Sequence, residues 1–379
     1  MSRVAAPRAI RWLALALAAL AVISPPMAVR AAAKAPAVAV PAGKRLIEMG
    51  WDEPDPRFMR THLAQLLASP FDGCVYHVNY RTARGDSGNF TWELWGRRRF
   101  TAAELAEADS NLRATDFGRF RDVFLRVNVT PGEMDWFEDH SAVMANLELA
   151  ARLARTGGGP GILLDVEMYR GALWDYREQV KRHPRTWAAM CTQVRKRGAE
   201  AMRSLERGYP GLTVFTTWAY SLSLDETVGN RVPLERTRHA LLPAFLDGML
   251  SAASPRVVLV EGHEGSYPYR AHEQFKAKAD SVRHNVPRLT RDPARYARHL
   301  SLAFGLWLDH DWRHLGWDTL DVARNHFSPA AFGTSVRSAL EYSDRYVWIY
   351  SETPRWWTPM GTPTALPTAY DSTLRAAIR

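Results

Sequence analysis

The chain of 379 residues contains only two cysteines, Cys74 and Cys191, and no Cys/His spacing that is typical of a zinc site. So few cysteines exclude a small scaffold held together by disulfides. Cys74 lies in an apolar, strand-like segment and Cys191 in a helical one. A single bridge formed in an oxidising compartment and two buried thiols acting as small apolar residues both fit the sequence.

Long apolar runs are also lacking. The run Trp12–Ile23 has 12 residues, whereas a membrane-spanning helix needs about 20. Three arginines precede this run and small residues follow it, which is typical of an export signal cleaved after Ala31 or Ala33. We therefore expect a signal peptide over 1–33, an Ala/Pro-rich tail over 34–43, and a periplasmic or secreted protein without a stable membrane anchor. An uncleaved anchor is the alternative.

No block of one charge sign stands out. The formal charge is +9, but four of the arginines belong to the predicted signal peptide. The remaining basic residues are dispersed, with only short runs such as Arg97–Arg99. This pattern indicates a solvated surface and excludes the basic patch that a nucleic-acid partner requires.

Residues 44–379 lack repeats, low-complexity runs and a Ser/Gly linker, and instead alternate short apolar runs with longer amphipathic stretches. This alternation predicts one domain, a (β/α)8 TIM barrel with extended loops after its strands. An open doubly wound sheet is the competing architecture, but no glycine-rich phosphate loop follows the first strand. The predicted strands are Arg45–Trp51, Gly73–Tyr80, Val123–Val129, Gly161–Glu167, Leu212–Tyr220, Val257–Glu261, Leu302–Asp309 and Tyr346–Ser351.

Helical periodicity fills the intervals between these strands. The run Leu302–Asp309 could instead extend the helix before it. The predicted helices are Pro56–Ser69, Thr101–Ala108, Ser141–Thr156, Thr186–Gly208, Leu234–Ala253, Arg270–Ala279, Pro293–Leu302 and Ser328–Ser343.

Polar and aromatic residues gather at the ends of the predicted strands. In a barrel, these ends converge on one mouth, so the sequence predicts a polar cleft with aromatic walls. Carbohydrate is the partner that best fits such a cleft, because aromatic rings stack on sugar faces while polar groups bind the hydroxyls. The candidate binding residues are Trp51, Asp52, His77, Asn79, Tyr80, Arg126, Asn128, Tyr169, Trp218, Tyr220, His263, Trp307, Asp309, Trp348 and Tyr350.

Two acids end the fourth predicted strand. Asp165 and Glu167 share one face, because alternate side chains of a strand point the same way. Glu167 is the candidate proton donor. Asp165 either raises the pKa of Glu167 by repulsion or neutralises Arg126. Glu352 and Glu261 are the candidates for the second carboxylate that glycoside hydrolysis needs, and no metal or cofactor is expected.

The step Leu164-Asp165-Val166-Glu167 resembles the Asp-x-Glu of chitinase-like glycoside hydrolases and of muramidases with such a pair on a barrel strand. That resemblance implies that Glu167 is the acid and Asp165 its helper. The further acids of the chitinase-like signature are missing, since Gly161–Leu164 contains none. The segments Glu48–Pro54 and Phe71–Val75 resemble an exported bacterial glycoside-hydrolase-like group, which implies a barrel fold and a carbohydrate substrate.

Three other functions compete with hydrolysis of a glycan. A barrel that binds glycans without cleaving them would keep its tryptophans but lack a correctly spaced acid pair. A lyase acting on uronic-acid polymers would use Arg and His side chains near the mouth. A metal-dependent hydrolase would lack the usual His-x-His on the first strand. Its ligands would come from His77, His263, Glu264, His310 and Asp311.

The export signal can be tested directly. We expect the protein recovered from the periplasm or medium to begin at residue 32 or 34, as read by N-terminal sequencing and intact mass. Leu17→Arg, which interrupts the apolar run, should keep the unprocessed chain inside the cell. A wild-type chain found uncut in the membrane fraction would show an anchor instead.

Overall fold

The computed structural model describes residues 43–50, 53–130, 134–311, 316–357 and 366–378. The predicted signal peptide therefore lies outside the described residues. All of the described residues belong to one compact unit, Ala39–Arg379. No helix in this part of the chain is long and apolar enough to cross a membrane.

Parallel strands form a ring in chain order. Neighbouring strands pair, with one strand divided into two segments, and the last strand returns to pair with the first over their full length, from Arg45↔Tyr346 to Gly50↔Ser351. The strands of the ring are β1 (Arg45–Gly50), β2 (Gly73–Tyr76), β5 (Phe124–Asn128), β6 (Gly161–Asp165), β7 (Thr213–Thr216), β8 (Val258–Glu261), β9 (Leu300–Leu302), β10 (Phe304–Trp307) and β11 (Tyr346–Ser351). An antiparallel hairpin, β3 (Asn79–Arg81) and β4 (Ser87–Asn89), lies outside it.

The seventh strand of the ring is divided in two. β9 pairs with β8 and β10 pairs with β11, and only Ala303 separates the two segments. The Ala303 amide still donates to the Glu261 carbonyl at 2.8 Å. The segments therefore act as one strand, and the ring of eight strands is a (β/α)8 barrel, as predicted.

Side-chain alternation divides the core into two layers. One apolar cluster fills the inside of the barrel and includes Ile47, Leu163, Val260 and Trp348. Their strand neighbours point outward into a larger cluster shared with the helices. Parallel strands covered on both faces need such continuous apolar runs, and for this reason the strands were recognisable in the sequence.

The helices surround the barrel, and several begin at side-chain caps. Asp55, Thr186 and Ser328 each accept a backbone N–H in the first turn of the helix that follows. The helices are α1 (Pro56–Thr61), α2 (Leu63–Ala68), α3 (Phe90–Glu93), α4 (Ala106–Arg113), α5 (Ser141–Thr156), α6 (Tyr176–Arg182), α7 (Trp187–Gly208), α8 (Tyr220–Asn230), α9 (Leu242–Ala252), α10 (His272–His284), α11 (Pro293–His299), α12 (Pro329–Tyr342) and α13 (Thr368–Ala377).

All eight predicted strands are present, and the strand at Leu302–Asp309 is not a helix extension. The predicted boundaries differ most at the fifth strand, which ends at Thr216. Tyr220, predicted to be at its tip, instead begins α8. The hairpin, α3, α6, α8 and α13 were not predicted. The hairpin, α3 and α6 carry too few residues for a clear period, and the start of α8 was assigned to the preceding strand.

The two cysteines are free and buried. Burial raises the pKa of both thiols, that of Cys191 to about 11. They therefore act as small apolar core residues and not as a bridge.

Gly161→Ala tests the packing of the ring. A Cβ at Gly161 would lie 1.9 Å from the carbonyl oxygen of Thr213 on the neighbouring strand. We expect a loss of about 1–3 kcal/mol in the free energy of unfolding, measured in urea. In the control Gly229→Ala, the Cβ meets nothing within 4 Å, and stability should rise by about 0.5–1 kcal/mol. Equal unfolding midpoints for the two variants would contradict the described register.

Candidate active site

A buried arginine links the ends of three barrel strands. Arg126 on β5 donates from Nη1 to Glu53 Oε1 at 2.7 Å and from Nη2 to Asp165 Oδ2 at 2.8 Å. All three side chains are almost fully removed from solvent. Charge-assisted hydrogen bonds of this length are strong. Burying the arginine or the acids without the partner would leave an unpaired charge, which is strongly destabilising.

Asp165 is saturated with donors. Besides Arg126, its Oδ2 accepts from Asn128 Nδ2 at 2.8 Å and from the Tyr169 hydroxyl at 2.9 Å. Its Oδ1 accepts the backbone N–H of Glu167 at 3.0 Å. Asp165 therefore holds its neighbours in place and has no free oxygen for a ligand.

Glu167 is held beside this network and lies at the surface of a cavity. Burial raises its pKa to about 7, and the nearby charge of Asp165 adds to the effect. The Tyr169 hydroxyl lies 3.1 Å from Glu167 Oε1. This hydroxyl donates to Glu167 and lowers its pKa, but burial and the Asp165 charge outweigh that effect. They favour the neutral form of Glu167.

The cavity opens at the C-terminal ends of the strands and has a volume of about 200 Å³. It combines carboxyl groups with aromatic rings. Its lining consists of Met49, Arg126, Glu167, Tyr169, Glu264, Tyr267, Trp307, Tyr350 and Glu352.

Aromatic rings form one wall of this cavity. Tyr267 stacks on Tyr350 with ring centroids 5.3 Å apart, and Trp307 meets both rings edge to face at 5.7 and 5.5 Å. The Trp307 indole N–H donates to Asp309 at 2.9 Å, which fixes the plane of the ring. The wall is therefore preformed.

Asp309 and Glu352 lie at the rim. Asp309 accepts the backbone N–H groups of Glu352 at 3.0 Å and of Thr353 at 2.7 Å. Glu352 itself is exposed and accepts from the Tyr350 hydroxyl at 2.8 Å. Asp309 therefore positions the loop that carries Glu352, and Glu352 is the carboxylate at this edge that is open to solvent.

Glu264 lies in a short 3-10 helix (Glu264–Ser266) that follows β8. Burial, together with the charges of Glu167 and Asp165, raises its pKa well above the usual range. Its Oε2 is buried and has no hydrogen-bond partner among the described residues.

His77, Asn79 and Tyr80 lie beside this cavity rather than in its lining. His77 contacts the Glu53 carbonyl at 2.8 Å, and Asn79 contacts His77 at 3.2 Å. Asn79 and Tyr80 line a second, larger groove of about 1030 Å³ between the hairpin and α4. The smaller cavity is the candidate active site, because Glu167 and Glu264, two acids with raised pKa values, both line it.

The structure corrects the prediction for Glu261. Val260 points into the barrel, so Glu261 points outward. Its carboxylate accepts from the Ala219 N–H at 2.8 Å and from the Ser221 hydroxyl at 3.0 Å at the start of α8. Glu261 therefore anchors a helix and does not supply the second carboxylate.

Four of the predicted binding residues contact other parts of the fold and not the cavity. The Tyr220 hydroxyl donates to Asp247 at 2.9 Å, and buried His263 lies 3.2 Å from Ser221. Trp218 packs against the outer apolar cluster. Trp348 lies inside the barrel, where its indole N–H donates to the Gly262 carbonyl at 2.8 Å. None of the four lines the cavity, and Trp51 and Asp52 lie outside the described residues.

Three residues of this site were not among the predicted ones: Glu53, Glu264 and Tyr267. Strand alternation offered a signal for the two acids. Counting in twos from inward-facing Met49 reaches Glu53, and counting in twos from Val260 reaches Glu264. Glu264 was considered only as a metal ligand. Within the described segments, no group of three or more His, Cys, Asp or Glu side chains is arranged to hold a metal ion.

No protein-family model matches the chain, and no curated protein matches it. Distant likenesses exist among solved structures. A GH5_18 protein from Streptomyces cattleya in complex with GlcNAc is 12% identical, with 89% of this chain and 80% of that chain covered and a TM-score of 0.42. A cellulase–inhibitor complex is 10% identical (88% and 92% covered, TM-score 0.46). A sugar phosphate isomerase/epimerase from Parabacteroides distasonis is 6% identical (88% and 96% covered, TM-score 0.39). Likenesses this distant assign no activity.

Glu167→Gln should stabilise the fold at high pH. The Glu167 carboxyl has a pKa of about 7 when folded, against 4.5 as its ordinary value. Between these values the folded state binds more protons than the unfolded state, so wild-type stability falls as pH rises. We expect the glutamine variant to gain about 1–3 kcal/mol above pH 7 and nothing below pH 4.5, in urea unfolding.

Glu261→Ala is the contrasting variant. It removes the acceptor from buried donors at the start of α8. The free energy of unfolding should therefore fall by about 1–3 kcal/mol both at high pH and at low pH. If Glu167→Gln were destabilising to the same degree, Glu167 would be a structural residue.

Proposed function

We propose that this protein is a glycoside hydrolase acting at the C-terminal mouth of its barrel. One observation carries the proposal: Glu167, an acid with a pKa of about 7, lines the same cavity as the exposed carboxylate Glu352 and an aromatic wall. An acid that keeps its proton near neutral pH, a second carboxylate and stacking surfaces are the parts that cleavage of a glycosidic bond requires.

Glu167 acts as the proton donor in this proposal. As the bond between the sugar carbon and the leaving oxygen breaks, the carboxyl proton passes to that oxygen. The donor set of Asp165 keeps the neighbouring negative charge in place, and this charge raises the pKa of Glu167. Asp165 is a positioning residue that acts through Glu167.

Glu352 supplies the second carboxylate. It is exposed at the rim, and the Tyr350 hydroxyl orients one oxygen at 2.8 Å. Depending on its separation from Glu167, it takes a proton from the attacking water or attacks the sugar carbon itself, since these two routes need different distances between the carboxyls.

The aromatic wall holds the sugar. Trp307, Tyr267 and Tyr350 present faces and edges whose mutual contacts fix their orientation. Burying the apolar face of a sugar ring against them leaves its hydroxyls directed at the acids. With the predicted export signal, the proposed substrate is an extracellular or cell-wall glycan.

Reducing-end release from a broad glycan panel tests the proposal. We expect wild-type turnover, and a loss of about 10²–10⁴-fold in Glu167→Gln and Glu352→Gln, because each variant removes one proton-transfer or carboxylate role. Glu273→Gln, an exposed acid on α10, is the control. Glycan binding without turnover in the wild type would identify a non-catalytic barrel.

The pH profile gives a second measurement. Since Glu167 must be protonated, kcat/KM should fall as pH rises through about 7. Asp165→Asn removes a charge that raises this pKa, so the descending limb should move to lower pH. An unmoved limb would assign the ionisation to another group.

A further inference from the structure

The cavity carries an excess of acids that hydrolysis alone does not explain. Among the described residues, three carboxyl groups line it, those of Glu167, Glu264 and Glu352, against one guanidinium, that of Arg126. That guanidinium is already bonded to Glu53 and Asp165. In the described part of the cavity wall, acid groups therefore outnumber basic ones.

The described residues leave one oxygen of the Glu264 carboxyl group without a hydrogen bond. Its Oε2 is buried without a hydrogen-bond partner among the described residues. Buried polar atoms are nearly always satisfied, so an exception in the wall of a cavity indicates a missing ligand group. Among the described residues, Glu264 is not engaged by an arginine or lysine in an ion pair of the kind that holds Asp165.

The rings beside Glu264 add to the preference for positive charge. Tyr267 follows Glu264 by three residues and stacks on Tyr350, and Trp307 closes the wall. Aromatic faces attract cations, and more strongly when water is excluded. Carboxyl groups and ring faces together form an environment for an ammonium group.

We propose that the sugar ring held in this cavity carries a free amine, whose ammonium group binds at Glu264 against the aromatic wall. The inference rests on the proposed carbohydrate site and narrows its substrate class to glycans with non-acetylated amino sugars. An acetylated amine is neutral and larger, and a hydroxyl carries no charge, so neither replaces the ammonium group. The volume of about 200 Å³, below the roughly 300–1,000 Å³ of pockets for drug-sized ligands, suits a single ring.

Binding of this kind is coupled to proton release. Burial and the charges of Glu167 and Asp165 raise the pKa of Glu264, which favours its protonated form in the free protein. An ammonium group stabilises its carboxylate, so the proton leaves when the sugar binds. The charged and titratable described groups that act on Glu264 or share its cavity are Arg126, Asp165, Glu167, Tyr169, Tyr267, Tyr350 and Glu352.

Isothermal titration calorimetry with three trimers tests the proposal on the wild-type protein. The probes are β-1,4-linked trimers of glucosamine, N-acetylglucosamine and glucose. We expect the glucosamine trimer to bind about tenfold or more tighter than the other two, a difference typical of a desolvated cation contact. Its affinity should rise with pH while the amine stays protonated, with proton release seen in buffers of different ionisation enthalpy.

Glu264→Gln should abolish the preference, while Glu273→Gln should keep it. Glu264→Asp, which retains the charge, should restore part of it if the glutamine variant folds poorly. Equal wild-type affinity for the three trimers, or a preference for the acetylated one, would overturn the inference whatever the variants do.

The two proposals fail separately. Amino-sugar binding that depends on Glu264, without turnover, would keep this inference and overturn hydrolysis. Turnover of neutral glycans without any preference for the glucosamine trimer would keep hydrolysis and overturn this inference.

Discussion

The ion pairs of Arg126 are the interaction on which the mouth of the barrel depends. One guanidinium, buried at the end of β5, bonds to Glu53 after the first strand and to Asp165 on the fourth. A buried charge without its partner would cost several kcal/mol, so the three side chains stay together or not at all. The rest of the acid network is built on this arrangement.

The consequences extend outward from Asp165. Because Arg126, Asn128 and Tyr169 all donate to Oδ2 of Asp165, its charge is held next to Glu167. Burial raises the pKa of Glu167 to about 7 and that of Glu264 well above its usual range, and the charge of Asp165 adds to both effects. A single fixed ion therefore favours the protonated form of two other acids. Functional sites commonly use environment in this way to give chemically identical groups different roles.

The acids near the mouth of the barrel fall into two groups, which differ in how many hydrogen bonds they accept from the protein. Glu261 and Asp309 accept several protein donors and hold backbone in place. Glu167, Glu264 and Glu352 line the cavity and keep oxygens directed at it. Residue type does not separate these groups, since glutamate occurs in both. Their hydrogen-bond partners do, because a carboxylate saturated by the protein has nothing left to offer a ligand.

The amino-acid sequence by itself determined the barrel fold and the placement of two acids of the site, Asp165 and Glu167. Apolar runs long enough to be buried on both faces marked every strand of the ring, and the spacing of Asp165 and Glu167 placed both acids on one face. Only the tertiary structure decided which distant acids join them. Alternation along β8 points Glu261 outward and Glu264 inward, but only the packed barrel shows that Glu264 lines the same cavity as Glu167. Strand ends, loop paths and the partners of buried charges depend on long-range packing, which local periodicity does not encode.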